Sequence, residues 1–501
     1  MRTRKIVYNS VTSLLLQFVT AVCGFVLPRF LISAFGSEIN GAIASITQFL
    51  GYISLIESGV GGVTRAALYK PLAEKDNKRI SGIFNATEKF FRGIAYVFIA
   101  YTVVLSVGFK YISNTELDWL FTALLVLVLS VSTFSQYYFG ITYSVLFQAD
   151  QKNYIGNVIQ IVSVILNTVL SVMLIQLGCN ILIIKAVSVM TYLIRPFFLR
   201  AIAKRTYQID KRVVPDTAAI QQRWNGFGHH IAYYIHNNVD VMVITIFLGL
   251  KYSSVYSVYG MILMGIKSIV ISLSGGSEAA FGDMIAKNET ENLRRKFGLV
   301  ETLSSMVVTV FFTVAGLLIF DFISIYTSGV RDIEYIIVPF GILFAISEAL
   351  HCIKQNYHGL VLAAGHYKQT QRGAFVEAGI NIVCSIVLSF AFGLSGIVLA
   401  TVLSTCYRTL DYIFYLRKNI IFREIRVFVK RMAVNCLSVI SVIVVCIGVG
   451  FDIATDYFSW TAKAVAVFAI AFTLTTSWNM LFYSAELKGI VRQFFRPKKT
   501  K

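Results

Sequence analysis

The sequence predicts an all-α polytopic membrane protein of about fourteen transmembrane helices, built as two parallel six-helix repeats with two extra helices at the C-terminal end. Three observations carry that prediction. Hydrophobic residues fill 56% of the 501 positions and charged residues only 14%, a balance foreign to a soluble domain. Apolar runs of about 20 residues, long enough to cross about 30 Å of hydrocarbon, recur along the whole chain. Polar landmarks also repeat at an offset of about 214 residues.

In chain order, the crossings have approximate cores at 8–33, 41–67, 91–113, 119–147, 154–178 and 181–203 in the first half. The second half follows with 227–250, 254–285, 299–324, 335–363, 374–393 and 395–416, and the extra pair is 433–451 and 461–484. The lobes divide at 1–210 and 211–430, leaving a two-helix hairpin at 431–485 and a basic tail at 486–501. TAVCG at 20–24 faintly resembles a lipoprotein cleavage site, but Val22 stands where a small residue is needed and the apolar run continues. The first helix is therefore read as uncleaved.

The formal net charge of +19 is unevenly placed. Arg2, Arg4 and Lys5 open the chain, Lys70 to Arg79 follow the second crossing, and Lys204 to Arg212 follow the sixth. Arg294 to Lys296 follow the eighth, Arg417 to Arg431 the twelfth, and Arg496 to Lys501 close the chain. The alternate loops hold little beyond Lys110, Lys251 and Arg331. That asymmetry predicts cytoplasmic termini and attraction to anionic membrane lipids, not a nucleic-acid footprint. The seven cysteines show no paired or metal-ligand spacing.

At the repeat offset Gly61 and Gly62 fall on Gly275 and Gly276, Asn167 on Asn381, and Ala186 on Ala400. Two consecutive six-helix halves insert with one orientation, so the axis relating them runs along the membrane normal. Such an arrangement predicts a central cleft that opens to either face, the architecture of an alternating-access transporter.

Charges inside the predicted crossings are the candidate functional residues, because an ionised group near the bilayer centre costs roughly 2.5–3.5 kcal/mol on insertion scales. Arg29 follows Pro28 in the first helix, and Glu57 and Arg65 lie in the second. On one unbroken helix their spacing puts them roughly 80° apart and about 12 Å along the axis. Asp240 lies in the seventh crossing and Lys267 in the eighth; Glu348, His351, Lys354 and His358 share roughly one face of the tenth. Arg65, Lys185 and Arg195, toward helix ends, read equally as snorkelling or structurally paired cations and as cavity residues. Glu57, Lys267 and Lys354 read as lining a water-filled cavity. The cationic excess predicts an anionic passenger, diphosphate among the candidates, because guanidinium grips phosphate bidentately. Gln48, Tyr137, Tyr138, Tyr233, Asn237, Asn238, Asn356 and Tyr357 could hold sugars. The glycines of SGVGG (58–62) and SGGS (274–277) mark either close packing or a flexing point.

Catalytic and metal signals are poor. GMILMGIKS at 260–268 fails as a phosphate loop at Ile266, and His229, His230 and His236 lack an HExxH pattern. No metal site or cofactor is expected. Without an ATP motif, transport draws on the membrane potential, the passenger's own gradient or a coupling ion, Na⁺ or H⁺. The short outward loops count against the competing reading, a membrane glycan polymerase or ligase.

The PRFL…FG segment with NGAIASITQFLGYISLIESGVGGVTRAALY, then FQADQKNYI and NVDVMVITIFLG…VYSVYGM, resembles the multidrug/oligosaccharidyl-lipid/polysaccharide exporter superfamily, and within it the Wzx-type polysaccharide flippases. The resemblance implies a MATE-like V-shaped bundle in the bacterial cytoplasmic membrane that is not an enzyme. Its cargo would be an undecaprenyl-diphosphate-linked oligosaccharide, and its partners polysaccharide polymerases or glycosyltransferases. It also implies that Arg29, Arg65 and Lys267, with Lys354 beside them, contact the diphosphate, while Glu57, Asp240 and Glu348 serve the cavity or its gating. Lipid II and, through cation coupling at Glu57, drugs remain alternative cargoes.

Overall fold

The computed structural model describes residues 2–57, 59–224, 234, 238–274 and 277–495. Ser58, Tyr233, Asn237, His229, His230, His236, Gly275, Gly276 and the tail from 496, all singled out above, lie outside the described residues.

Every regular element described is helical. The first half comprises α1 (Arg2–Gly51), α2 (Ser54–Glu57), α3 (Val60–Glu74), α4 (Asn77–Ser113), α5 (Trp119–Ser135), a π-helical turn (Gln136–Gly140), α6 (Ile141–Ala149), α7 (Asn153–Gln176) and α8 (Ile181–Thr206). The chain continues through α9 (Asn238–Leu248), α10 (Leu250–Ser274), α11 (Glu278–Ala286), α12 (Thr290–Tyr326), α13 (Val338–Ala363), α14 (Tyr367–Asn419), α15 (Ile425–Val449) and α16 (Tyr457–Phe495). Among the described residues, ten stretches are long and apolar enough to cross a bilayer. α1 and α14 each contain a non-helical glycine, Gly36 (φ 79°, ψ 175°) and Gly393 (φ 55°, ψ −134°), so fourteen crossings are compatible with this set. The chain is a multi-pass, all-α membrane protein.

Contacts gather the chain into two compact units: residues 1–234 with 241–254, and 235–240 with 255–501. In the first, α1 lies along α7, α7 packs on α8, and α5 packs on both α4 and α8. In the second, α13 packs on α14, and α12 packs on α13, α15 and α16.

Both units bury polar residues within an apolar interior and expose apolar ones on their surface. Leu14, Phe18, Val104, Phe390 and Ile447 are exposed, whereas Asn40, Asn157, Asn167, Asn381 and Asn435 are buried. A bilayer supplies no hydrophobic drive between helices, so small residues and hydrogen bonds join them. Asn157 of α7 donates to Ser13 of α1 at 2.9 Å, and Asn40 of α1 donates to Ser254 of α10 at 2.8 Å. Gly41 permits the latter contact: a Cβ there would collide with the Leu250 carbonyl oxygen.

The duplication shows in the backbone. Gly249, the counterpart of Gly36 within one residue, has φ 91° and ψ 174°, nearly the same strained turn. Asn167 donates to the Tyr192 hydroxyl at 3.4 Å and Asn381 to Thr401 at 3.0 Å, each linking the fifth and sixth crossings of its half. One expectation fails. The second crossing is not a single helix, because Gly59 (φ 96°) separates α2 from α3 and places Glu57 and Arg65 on different segments.

Asp150, in the FQADQK turn between α6 and α7, ties the first unit together at one end. Its carboxylate accepts from Lys5 at 3.0 Å, Lys152 at 2.7 Å and the Tyr207 hydroxyl at 2.7 Å. Burial opposes ionisation of Asp150, but the bonds from Lys152, Tyr207 and Lys5 outweigh it and hold the carboxyl below its ordinary value of 3.8. The folded protein therefore binds this proton more weakly than the unfolded chain does, and the stabilisation present above pH 3.8 is lost as pH falls below it.

Two measurements follow from these contacts. Gly41→Ala, forced against backbone, lowers stability by about 1–3 kcal/mol, while Gly24→Ala, whose Cβ meets nothing within 4 Å, leaves the melting temperature in detergent unchanged. Asp150→Asn lowers the melting temperature at pH 7 and flattens its fall on acidification; an unchanged acid profile would exclude the carboxylate as its source.

Candidate cargo and ion sites

In the first unit, Glu57 at the end of α2 is half-buried and accepts a 2.7 Å bond from the Tyr137 hydroxyl. Tyr137 belongs to the π-helical turn, a local widening that redirects side chains and often accompanies function. Arg65 on α3, also half-buried, donates to the Gln148 side-chain oxygen on α6 at 2.6 Å. That partner is a neutral amide. No carboxylate forms an ion pair with Arg65 among the described residues. Arg29 is half-buried on α1, directly after Pro28.

The second unit treats its cations differently. Lys267 on α10 pairs with Glu348 on α13 at 2.7 Å, and Lys354 on α13 with Glu377 on α14 at 2.6 Å. Arg408 meets Glu377 at 3.6 Å and Asp411 at 2.5 Å, and also donates to the Thr370 carbonyl and the Tyr412 hydroxyl. Both lysines read above as diphosphate contacts thus have carboxylate partners inside their own unit. His351 is buried on the same face of α13, and His358 stacks near Tyr412 at 5.6 Å.

Sequence reasoning missed a third cluster. Glu301 on α12 is sealed from solvent and accepts from Arg423 at 2.6 and 2.9 Å, from Arg431 and from the Tyr357 hydroxyl. Arg423 and Arg431, read above as loop cations, are inside the unit, with Arg431 only 3% exposed. The one signal available was Glu301 itself, an acid at the start of an apolar run in RRKFGLVE. Tyr357, proposed above for sugars, is committed to this cluster, and Asn356 donates to Ser304 at 2.9 Å.

Asp240 on α9 forms the fourth arrangement. Its Oδ2 accepts from Thr401 at 2.9 Å and Tyr256 at 3.4 Å, and Asn381 donates to Thr401 at 3.0 Å. The other oxygens, Asp240 Oδ1 and Asn381 Oδ1, are buried and accept no hydrogen bond. Buried oxygens without donors suit a proton or a small cation with a preference for oxygen ligands. No group of three or more His, Cys, Asp or Glu side chains that could hold a metal occurs among the described residues.

With this geometry in view, the fold can be placed among solved structures. It is similar to lipid II flippase MurJ in an inward closed conformation (TM-score 0.71, 13% identity), covering 96% of this chain and 100% of that one. It is also similar to an inward-facing multidrug resistance MATE family transporter of the MOP superfamily (TM-score 0.64, 12% identity), covering 79% of this chain and 95% of that one. The MATE multidrug transporter DinF-BH matches at a TM-score of 0.57 and 15% identity, over 83% and 96% of the two chains. No protein-family model matches the sequence, and no curated protein matches it. At these identities the likeness establishes a MATE- and MurJ-like fold.

The ion pairs give a direct test. Glu377→Gln leaves the Lys354 ammonium, 6% exposed, without its counter-charge and lowers stability by about 3–5 kcal/mol. Lys354→Met with Glu377→Leu recovers part of that loss in a double-mutant cycle, the remainder falling on Arg408, which keeps Asp411 alone. A single substitution no worse than the double one would show that the pair carries no such constraint.

Proposed function

We propose that the protein is a flippase that moves an undecaprenyl-diphosphate-linked oligosaccharide, a repeat unit of capsule, O-antigen or another surface polysaccharide, across a bacterial cytoplasmic membrane. The observation that carries this reading is Arg65: among the described residues this half-buried guanidinium is held by a neutral amide alone, which leaves its charge for an anion. Arg29, half-buried in the same unit, is the second candidate for the diphosphate. Lys267 and Lys354 act on this reading by exchanging their carboxylate partners for phosphate as the cargo passes, with Glu348 released in the process. Glu57 serves as a cavity group through Tyr137. The fold's similarity to a lipid II flippase over nearly the full length of both chains supports a lipid cargo, and lipid II remains a variant of it. On this reading the chain carries cargo rather than transforming it, and both termini would lie on the cytoplasmic side. There, polysaccharide glycosyltransferases would supply the cargo, a polymerase would receive it beyond the membrane, and anionic lipids would meet the basic loops.

A second reading, a cation-coupled multidrug exporter, is favoured by the Asp240 arrangement and by the two MATE transporters of similar fold. On either reading Asp240, Thr401 and Asn381 would hold the coupling ion, Na⁺ or H⁺.

The two cargoes separate in one vesicle assay. Wild-type protein reconstituted with fluorescent undecaprenyl-diphosphate oligosaccharide transfers it between leaflets, and Arg65→Ala slows the transfer at least tenfold. Asp240→Asn removes the response to an imposed Na⁺ or proton gradient. Transport of a cationic dye without lipid transfer would reject the flippase reading in favour of drug export.

A further inference from the structure

The internal duplication supplies its own control for a buried arginine. In the second unit Arg408 donates to the carbonyl of Thr370 at 2.9 Å and is neutralised by Glu377 and Asp411. Shifted by the repeat offset, Thr370 falls on Gly156, and Arg408 falls one residue before Arg195. The Arg195 guanidinium does lie against Gly156, its Nη2 4.0 Å from where a Cβ would project. Both arginines thus reach from the sixth crossing of their half to the same place on the fifth.

Their surroundings differ in charge. Glu377 falls on Ser163 and Asp411 on Phe197, so both acids that answer Arg408 are missing beside Arg195. Lys354 falls on Gly140, which lines a cavity of about 250 Å³ together with Arg195. Ser132, Gln136, Ser144, Gln160 and Tyr192 supply its polar walls, and no carboxylate lines it. Arg195 forms no ion pair among the described residues, and its Nε is buried without an acceptor. Ser163 Oγ is likewise buried without a partner.

We propose that this cavity within the first unit binds a phosphate-class oxyanion, which supplies to Arg195 the negative charge that Glu377 and Asp411 supply to Arg408. The volume equals that of on the order of eight water molecules, room for one phosphate or diphosphate group. Guanidinium matches such oxygens in pairs, and hydroxyl and amide donors complete the shell without adding charge. The anion is either the diphosphate of a lipid or a free phosphate entering from the aqueous side. The site stands whether or not the chain flips the lipid proposed above.

The test uses purified full-length protein in detergent, titrated with inorganic pyrophosphate at constant ionic strength. Wild type gains several degrees in melting temperature. Arg195→Gln weakens half-saturation at least tenfold, and Arg195→Lys retains an intermediate response. Ser163→Glu, which restores the acid of the second unit, stabilises the anion-free protein and removes the pyrophosphate response, an outcome that a merely structural arginine would not produce. Undecaprenyl diphosphate in nanodiscs that displaces pyrophosphate assigns the site to a lipid headgroup, and failure to displace assigns it to a soluble phosphate. A wild-type melting temperature indifferent to pyrophosphate, or shifted equally by sodium chloride, overturns the proposal whatever the variants do. Lipid transfer is not read here, so this site and the cargo assignment fail separately.

Discussion

A charge carried into a bilayer has almost no water to turn to, so the protein must provide its partner or leave a place for one. That requirement organises the second unit. Glu348, Glu377 and Glu301 between them hold Lys267, Lys354, Arg408, Arg423 and Arg431, and each carboxylate joins different helices. α10 is thereby tied to α13, α13 to α14, and α12 to α15. Helices that lack hydrophobic attraction for one another in lipid gain register from these pairs, because sliding by one turn would strand several charges together. In the first unit Asp150 and Glu88 hold cations in the same way, but Glu57 and Arg65 are met by neutral groups, Tyr137 and Gln148. The two copies of one backbone have reached different electrostatic solutions.

Much of the architecture was legible because lipid imposes a coarse rule that a sequence obeys openly. Apolar length located α7 and α8 to within about three residues at each end, and the repeat of Asn167 at Asn381 marked equivalent helix contacts. The break at Gly59 was harder to read. SGVGG announced an unusual backbone, but only a positive φ at one glycine separates a hinge from a site of close packing.

Pairing was illegible for a related reason. Arg423 and Arg431 stand in a run of basic residues that looks like any loop on the positive side, and only the tertiary approach of α12 buries them. Glu377 is inconspicuous beside the charged QTQR segment, although Lys354 stands out as a cavity cation. Composition indicates that a charge sits within a crossing. Whether it faces another helix, water or lipid depends on rotations of about 100° per residue, which hydrophobic length does not encode.

The Lys5–Asp150 contact also bears on synthesis. Its partners are 145 residues apart, and the helix that chiefly packs on α1 is α7, farther along still. At about 5–20 residues per second, the end of α1 is made roughly 5–20 s before either partner exists. During that interval it must persist alone in lipid. None of its most apolar stretch is buried even in the finished protein, so the helix enters the membrane already suited to its surroundings. The part of α1 that meets α7 is thus fastened well after it is made, and its apolar surface suits it to lipid throughout that interval.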